Sequence, residues 1–118
     1  MTTVFVHGDP VPKQSYRAVH GGGYTDPRVK AWQDTVLIES KPRLPETPIS
    51  GPVYVTLMFY LRHRRRVDVD NLSKAVLDAL NKFGWVDDTQ IIDLRITKLQ
   101  GDKRPGVYIE FGPAPRPD

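Results

Sequence analysis

The segment from Val53 to Leu61 constrains the fold most, because it is apolar on both sides of an extended chain. One side carries five aliphatic or aromatic residues, and the other carries two tyrosines, a methionine and a threonine. Neither side can face water along its whole length, so the segment is predicted to be the central strand of a sheet. It is too short for a membrane-spanning helix, which needs about 20 apolar residues.

The rest of the chain supplies the elements that would cover this strand. Asp26 and Pro27 predict a helix start, and Trp32 is expected on that helix's apolar face. The elements are predicted as a strand over 3–8, a helix over 26–39, the strand 53–61, a helix capped by Asp70 and running to Phe83, and a hairpin of strands 90–99 and 107–111.

This order, β-α-β-α-β-β, predicts a single α/β (α+β) domain with a mixed four-stranded sheet and two main helices. The domain is expected to cover residues 1–112. Residues 113–118 are rich in proline, and their composition predicts a disordered tail.

Composition removes several classes of site. The chain has no cysteine, which excludes disulfides, thiolate zinc sites and cysteine nucleophiles, and its three histidines are scattered. Any bound metal is therefore expected to have oxygen ligands. The first residues show no secretory signal, so a cytoplasmic location without membrane contact is the expectation.

Two pairs of aspartates stand out against this background. Asp68 and Asp70 precede a predicted helix and would point to the same side if the chain there is extended. Asp88 is expected to be a third carboxylate, with the adjacent Asp87 as the alternative. Lys74 lies one helical turn after Asp70, where an ammonium can reach a phosphate. Such a set suits Mg²⁺ and a phosphodiester.

Cationic residues adjoin the acidic ones. Arg64, Arg65 and Arg66 lead directly into the first aspartate pair, and we expect them to bind a nucleic-acid backbone together with Lys74. A glycine-rich loop contributes Lys13 and Arg17 to the predicted DNA-binding set. The same residues also fit a simpler interpretation, in which the aspartates cap helices and turns and the arginines form a solvated edge.

The motif spacing resembles one known family. The chain contains Asp-Val-Asp-Asn-Leu-Ser-Lys at 68–74 and Asp-Asp-Thr-Gln at 87–90, preceded by the arginine run. This combination is similar to the pattern of the RusA-type endodeoxyribonucleases, which resolve Holliday junctions. The similarity is strongest from Arg64 to about Lys98.

The resemblance implies an activity and a site. It implies a homodimer that makes paired, symmetric nicks across four-way junction DNA with Mg²⁺, or Mn²⁺ as a substitute. Asp68, Asp70 and Asp88 would be the metal ligands, and Lys74 would complete the catalytic set. Leu77, on the polar side of its helix, is the candidate dimer contact unless it covers a neighbouring strand.

Two other functions remain open from the sequence. A general branched-DNA or flap nuclease could share the same site and prefer another DNA geometry. A non-catalytic DNA-binding module would use the carboxylates only as caps and would bind equally well in EDTA.

Overall fold

A computed structural model describes residues 1–14 and 26–118 of the chain. Its strands and α-helices are β1 (Thr2–His7), α1 (Pro27–Ser40), β2 (Val53–Leu61), α2 (Val69–Leu80), β3 (Ile91–Gln100) and β4 (Gly106–Pro113), and short 3-10 helices cover Lys41–Arg43 and Asp88–Gln90. This order confirms the predicted β-α-β-α-β-β domain. Arg17 and most of the glycine-rich loop lie outside the described residues. In the described part, no helix is long and apolar enough to cross a membrane.

The four strands form one sheet in the order β1-β4-β2-β3. Strand β2 is central as predicted, and it pairs parallel with β3 and antiparallel with β4, so the sheet is mixed. The predicted hairpin of β3 with β4 is wrong, because β4 lies between β1 and β2. Burial explains the order: Val107, Ile109 and Phe111 of β4 are fully buried, whereas the more polar β3 tolerates an edge.

The core lies between the sheet and the two helices. Every second residue of β2, from Val53 to Leu61, is fully buried there, together with residues of α1 and α2. Trp32 is 5% exposed and belongs to this core, which confirms its predicted place on α1. Asp26 caps α1 as predicted, since its carboxylate accepts a hydrogen bond from the Arg28 amide at 2.8 Å.

Helix α2 begins and ends earlier than predicted. Its N-cap is Asp68 and not Asp70, because Asp68 is extended and its carbonyl accepts the first helical bond, from the Leu72 amide at 3.1 Å. The helix ends at Leu80, and Lys82 takes a φ of 74°. This turn moves Phe83 off the apolar face of the helix, and Phe83 is 45% exposed. Leu77 is half-buried and packs against the core.

The carboxyl-terminal residues differ from the predicted disordered tail. Pro113 is the last residue of β4, and the Arg116 side chain is only 14% exposed. Arg116 donates to both carboxylate oxygens of Asp93, at 2.9 and 3.1 Å, and its guanidinium lies 4.6 Å from the Tyr54 ring centroid. The segment buries little apolar surface, but one arginine finds a carboxylate and an aromatic ring on the sheet.

Tyr108 lies on the same face of the sheet and gives a pH-dependent signal. Its hydroxyl donates to the Glu110 carboxylate at 2.8 Å, and this bond, with burial and the Glu110 charge, raises the pKa of Tyr108 to about 12. Since the folded pKa exceeds the unfolded value near 10, this tyrosine's contribution to the free energy of unfolding is complete below about pH 10 and is lost as pH rises through about 12.

The test uses a Tyr54→Phe background, because the Tyr54 hydroxyl donates to the same Glu110 carboxylate and the pKa of Tyr54 is also raised by burial and by Glu110. In that background we expect tyrosinate absorption to show a late titrating group with its midpoint near pH 12. Tyr108→Phe should remove that phase, and Glu110→Gln should move it to lower pH. Persistence of the late phase in Tyr108→Phe would contradict the assignment.

Candidate metal and nucleic-acid site

The polar face of α2 carries Asp70, Lys74 and Asp78 one turn apart, opposite the residues that the helix buries. All three are exposed. About 12 Å of helix axis separates the first from the last, at 1.5 Å per residue. The face therefore presents an ammonium between two carboxylates.

The first aspartate pair lies at the amino-terminal end of this helix. Asp68 is the N-cap, but its side chain accepts no capping hydrogen bond, and Asp70 follows in the first turn. Both side chains are exposed, and neither forms an ion pair with another residue of the described chain. The geometry expected for an extended segment does not apply, because the helix begins between them. Both carboxylates instead stay within the positive end of the helix dipole.

The arginine run lines a groove beside this pair. The groove is formed by Arg64, Arg65, Arg66, Val67, Asp68, Lys98 and Gln100. Its floor is fixed by β3, because Lys98 donates to the Val67 carbonyl and Gln100 to the Arg65 carbonyl, both at 2.9 Å. Strand β3 thus holds the basic segment beside the start of α2 through these two hydrogen bonds.

The structure separates the three arginines that the sequence treats alike. Arg65 turns inward, with its side chain 29% exposed, and donates to the Pro10 carbonyl at 2.6 Å. It also lies 3.6 Å from the Asp9 carboxylate, which accepts a hydrogen bond from the Arg62 amide. Arg64 and Arg66 are exposed. Arg65 therefore anchors the segment, whereas its two neighbours face outward.

The second aspartate pair is held by two side chains. Gln90 accepts a hydrogen bond from the Asp87 amide at 2.7 Å and donates to the carbonyls of Ile49 at 2.6 Å and Gly51 at 2.8 Å. Its amide thereby ties the turn to the segment that enters β2. The buried indole of Trp85 donates to Asp88 Oδ1 at 2.6 Å. The glutamine of the motif is a structural residue here.

The environment of Asp88 is acidic and partly buried. Burial raises the pKa of the Asp88 carboxyl above its usual range, and the Trp85 hydrogen bond opposes this shift. The charges of Asp78 and Asp87 raise it further. A cation bound at the Asp88 carboxylate would offset both the cost of burying its negative charge and the repulsion from Asp78 and Asp87.

Asp78 is a site residue that the sequence did not single out. Its carboxylate forms an ion pair with the Lys13 ammonium, and the Lys13 amide donates to the Asn71 carbonyl at 2.9 Å. These contacts place Lys13, a predicted DNA-binding residue, on the polar face of α2. The sequence did indicate that Asp78 shares a helix face with Asp70 and Lys74, because the three are spaced one turn apart. Spacing does not show which residues a side chain contacts.

The predicted ligands fall into two places along α2. Asp68 and Asp70 are at its amino-terminal end. Asp78 lies two helical turns after Asp70, and Asp88 is close enough to Asp78 for the two negative charges to repel each other. Residues 1–14 and 26–118 contain no group of three or more carboxylates, histidines or cysteines arranged to hold a metal. The arrangement offers oxygen donors and cations along one surface, without a closed metal cage.

Comparison with known proteins identifies the family. The family model described as Endodeoxyribonuclease RusA matches residues 7–111. A crossover junction endodeoxyribonuclease RusA of Escherichia coli K12 is 34% identical over 91 residues, which are 76% of each chain, and one from Enterobacteria phage 82 has the same identity and coverage. Another, from Escherichia coli O139:H28, is 32% identical over 107 residues, which cover 87% of this chain and 89% of the relative. The chain belongs to the Endodeoxyribonuclease RusA family.

Proposed function

We propose that this chain is a Mg²⁺-dependent endodeoxyribonuclease that resolves four-way DNA junctions, with Mn²⁺ able to replace Mg²⁺. The main support is that the complete aspartate, lysine and glutamine motif lies along α2 and the turn before β3, beside an outward-facing basic groove. The relatives' names, which give crossover junction endodeoxyribonuclease activity, support the substrate.

Asp68, Asp70 and Asp88 are the proposed metal ligands, and their chemistry fits the ion. Mg²⁺ usually takes one or two protein carboxylates and completes its shell with waters and substrate phosphate oxygens, so a closed cage is not needed. Asp68 and Asp70 are exposed and without ion-pair partners in the described chain, and Asp88 keeps one oxygen beyond its bond to Trp85. A bound divalent cation would activate water and neutralise charge on the phosphate.

Lys74 is the proposed catalytic cation of the protein. Its side chain is exposed, one turn from Asp70, and forms no ion pair in the described part of the chain. The ammonium is therefore available to a phosphate oxygen or to the leaving oxygen of the cleaved strand. The free amides at the start of α2 favour the same negative charge.

The proposed contacts to the DNA backbone are Arg17, Arg64, Arg66 and Lys74. Lys13 is proposed to join them by exchanging its ion pair with Asp78 for a phosphate. Arg64 and Arg66 face outward from the groove, whereas Arg65 supports them through its contacts with Asp9 and Pro10. We therefore propose that Arg65 affects DNA binding only indirectly, by holding Arg64 and Arg66 in place. A DNA substrate also supports the predicted cytoplasmic location.

A homodimer is the proposed active form. A four-way junction is close to two-fold symmetric, and two identical sites related by a two-fold axis can cut two strands at equivalent positions. Paired cutting would leave two linear duplexes with ligatable nicks.

A supercoiled plasmid with an extruded cruciform tests paired cutting directly. One nick releases the supercoiling and the cruciform is reabsorbed, so only two cuts within one binding event give linear plasmid. We expect mainly linear product with Mg²⁺ and none with EDTA. Mainly nicked circles would favour a branched-DNA or flap nuclease, and binding without cutting under any metal would favour a DNA-binding module.

A further inference from the structure

We propose that Trp85 is a positioning residue that holds the Asp88 carboxylate in one orientation through its indole N–H. This inference rests on the proposed role of Asp88 as a metal ligand. Trp85 touches neither substrate nor reacting atoms in this account; it acts through Asp88.

The indole is fixed by the core. Trp85 is fully buried, and its ring meets the ring of Phe111 edge to face, with centroids 5.2 Å apart and an interplanar angle of 85°. Isolated bridges join Trp85 to Ile49 and to Asn81. These bridges are backbone pairings, so they fix the main chain that carries the ring, while burial and the contact with Phe111 fix the ring itself. The single indole donor is therefore presented in one direction.

That donor is directed at the carboxylate. Trp85 Nε1 lies 2.6 Å from Asp88 Oδ1, and the two residues are three apart in the chain. The bond occupies one carboxylate oxygen and fixes the direction of the other. A ligand whose orientation is set in advance loses less side-chain freedom when it binds an ion.

The second tryptophan lacks such a role and serves as a matched control. Trp32 is 5% exposed, so both indoles are buried, but Trp32 Nε1 has no hydrogen-bond partner in the described part of the chain. Buried indoles usually find a partner, so a hydrogen bond alone would be an ordinary core feature. What distinguishes Trp85 is that its acceptor is a proposed metal ligand.

The first arm of the test follows the indole N–H signals while the tryptophans stay in place. The chain has two tryptophans, so ¹⁵N-tryptophan labelling gives two indole N–H signals in the intact protein. Adding MgCl₂ should shift the Trp85 signal in a saturable way and leave the Trp32 signal in place, and Asp88→Asn should abolish the shift. A Trp85 signal that stays unmoved while cleavage saturates with Mg²⁺ would overturn the inference.

The second arm measures cleavage against Mg²⁺ concentration. Trp85→Phe keeps an aromatic ring and removes the donor, and it should raise the half-saturating Mg²⁺ concentration about 10- to 100-fold, the usual effect of losing an outer-shell partner, with maximal cleavage nearly retained. Trp32→Phe should leave the half-saturating value unchanged. Equal values for the two variants would overturn the positioning role alone, whereas normal cleavage by Asp88→Asn would overturn the proposed ligand itself.

Discussion

Asp70→Asn is expected to abolish junction cleavage while leaving junction binding intact. Asparagine keeps the size of the side chain but removes the charge that a hard cation requires. Because Asp68 and not Asp70 is the N-cap of α2, the substitution removes no capping bond, and the helix should persist. Less repulsion of phosphates should make binding equal or tighter. We expect the rate to fall by about 10²- to 10³-fold or more, as when one transition-state charge stabiliser is lost.

Single-turnover cleavage of a labelled junction, with binding measured in EDTA, separates the two effects. Asp34→Asn is a suitable control, since Asp34 is an exposed acid of α1 that pairs with Lys30 at 2.9 Å. It should cut at the wild-type rate. Cleavage by Asp70→Asn at that same rate would show that Asp70 is not a ligand.

The double substitution Arg64→Ala with Arg66→Ala is expected to weaken junction binding strongly and to flatten its salt dependence. Each outward arginine that neutralises a phosphate contributes about 0.9 to the slope of log affinity against log salt, so the slope should fall by about 2. The free energy of unfolding should change little, because both side chains are exposed.

Arg65→Ala is the informative comparison, because the side chain lies between its two substituted neighbours in sequence. It should leave the salt slope nearly unchanged and lower the free energy of unfolding by about 1–3 kcal/mol, through loss of the bond to the Pro10 carbonyl and the contact with Asp9. Fluorescence-based binding over a salt series, with urea unfolding, measures both quantities. If Arg65→Ala lowered the slope of log affinity against log salt as much as the loss of one neighbouring arginine, these separate roles for Arg65 and its neighbours would be contradicted.

The sequence predicted the parts of the fold that follow from apolar patterning. The two-sided strand β2 had to be central, and the stripe of α1 had to bury Trp32. The position of β4 was predicted wrongly because strands that follow each other in sequence usually pair. Here β4 does not pair with β3, because burial of its residues between β1 and β2 decides the order. Arg116 was missed because composition does not reveal a partner such as Asp93, which is distant in sequence.

The site residues divide in the same way, into those that motif spacing predicts and those that only contacts in the folded chain reveal. Motif spacing identified Asp68, Asp70, Lys74 and Asp88 as candidates, but it did not show that Asp88 is partly buried. Long-range contacts were beyond the sequence, notably the ion pair of Lys13 with Asp78. The direction of a side chain was also inaccessible, since nothing in a run of arginines shows which one turns inward.

Cleavage of a mobile four-way junction beside its linear duplex arms and a flap substrate, with Mg²⁺ and with EDTA, tests the central claim most directly. We expect symmetric, ligatable nicks on the junction alone, only with the metal, and none from Asp70→Asn. Equal cutting of all branched forms, or cutting that persists in EDTA, would contradict the account.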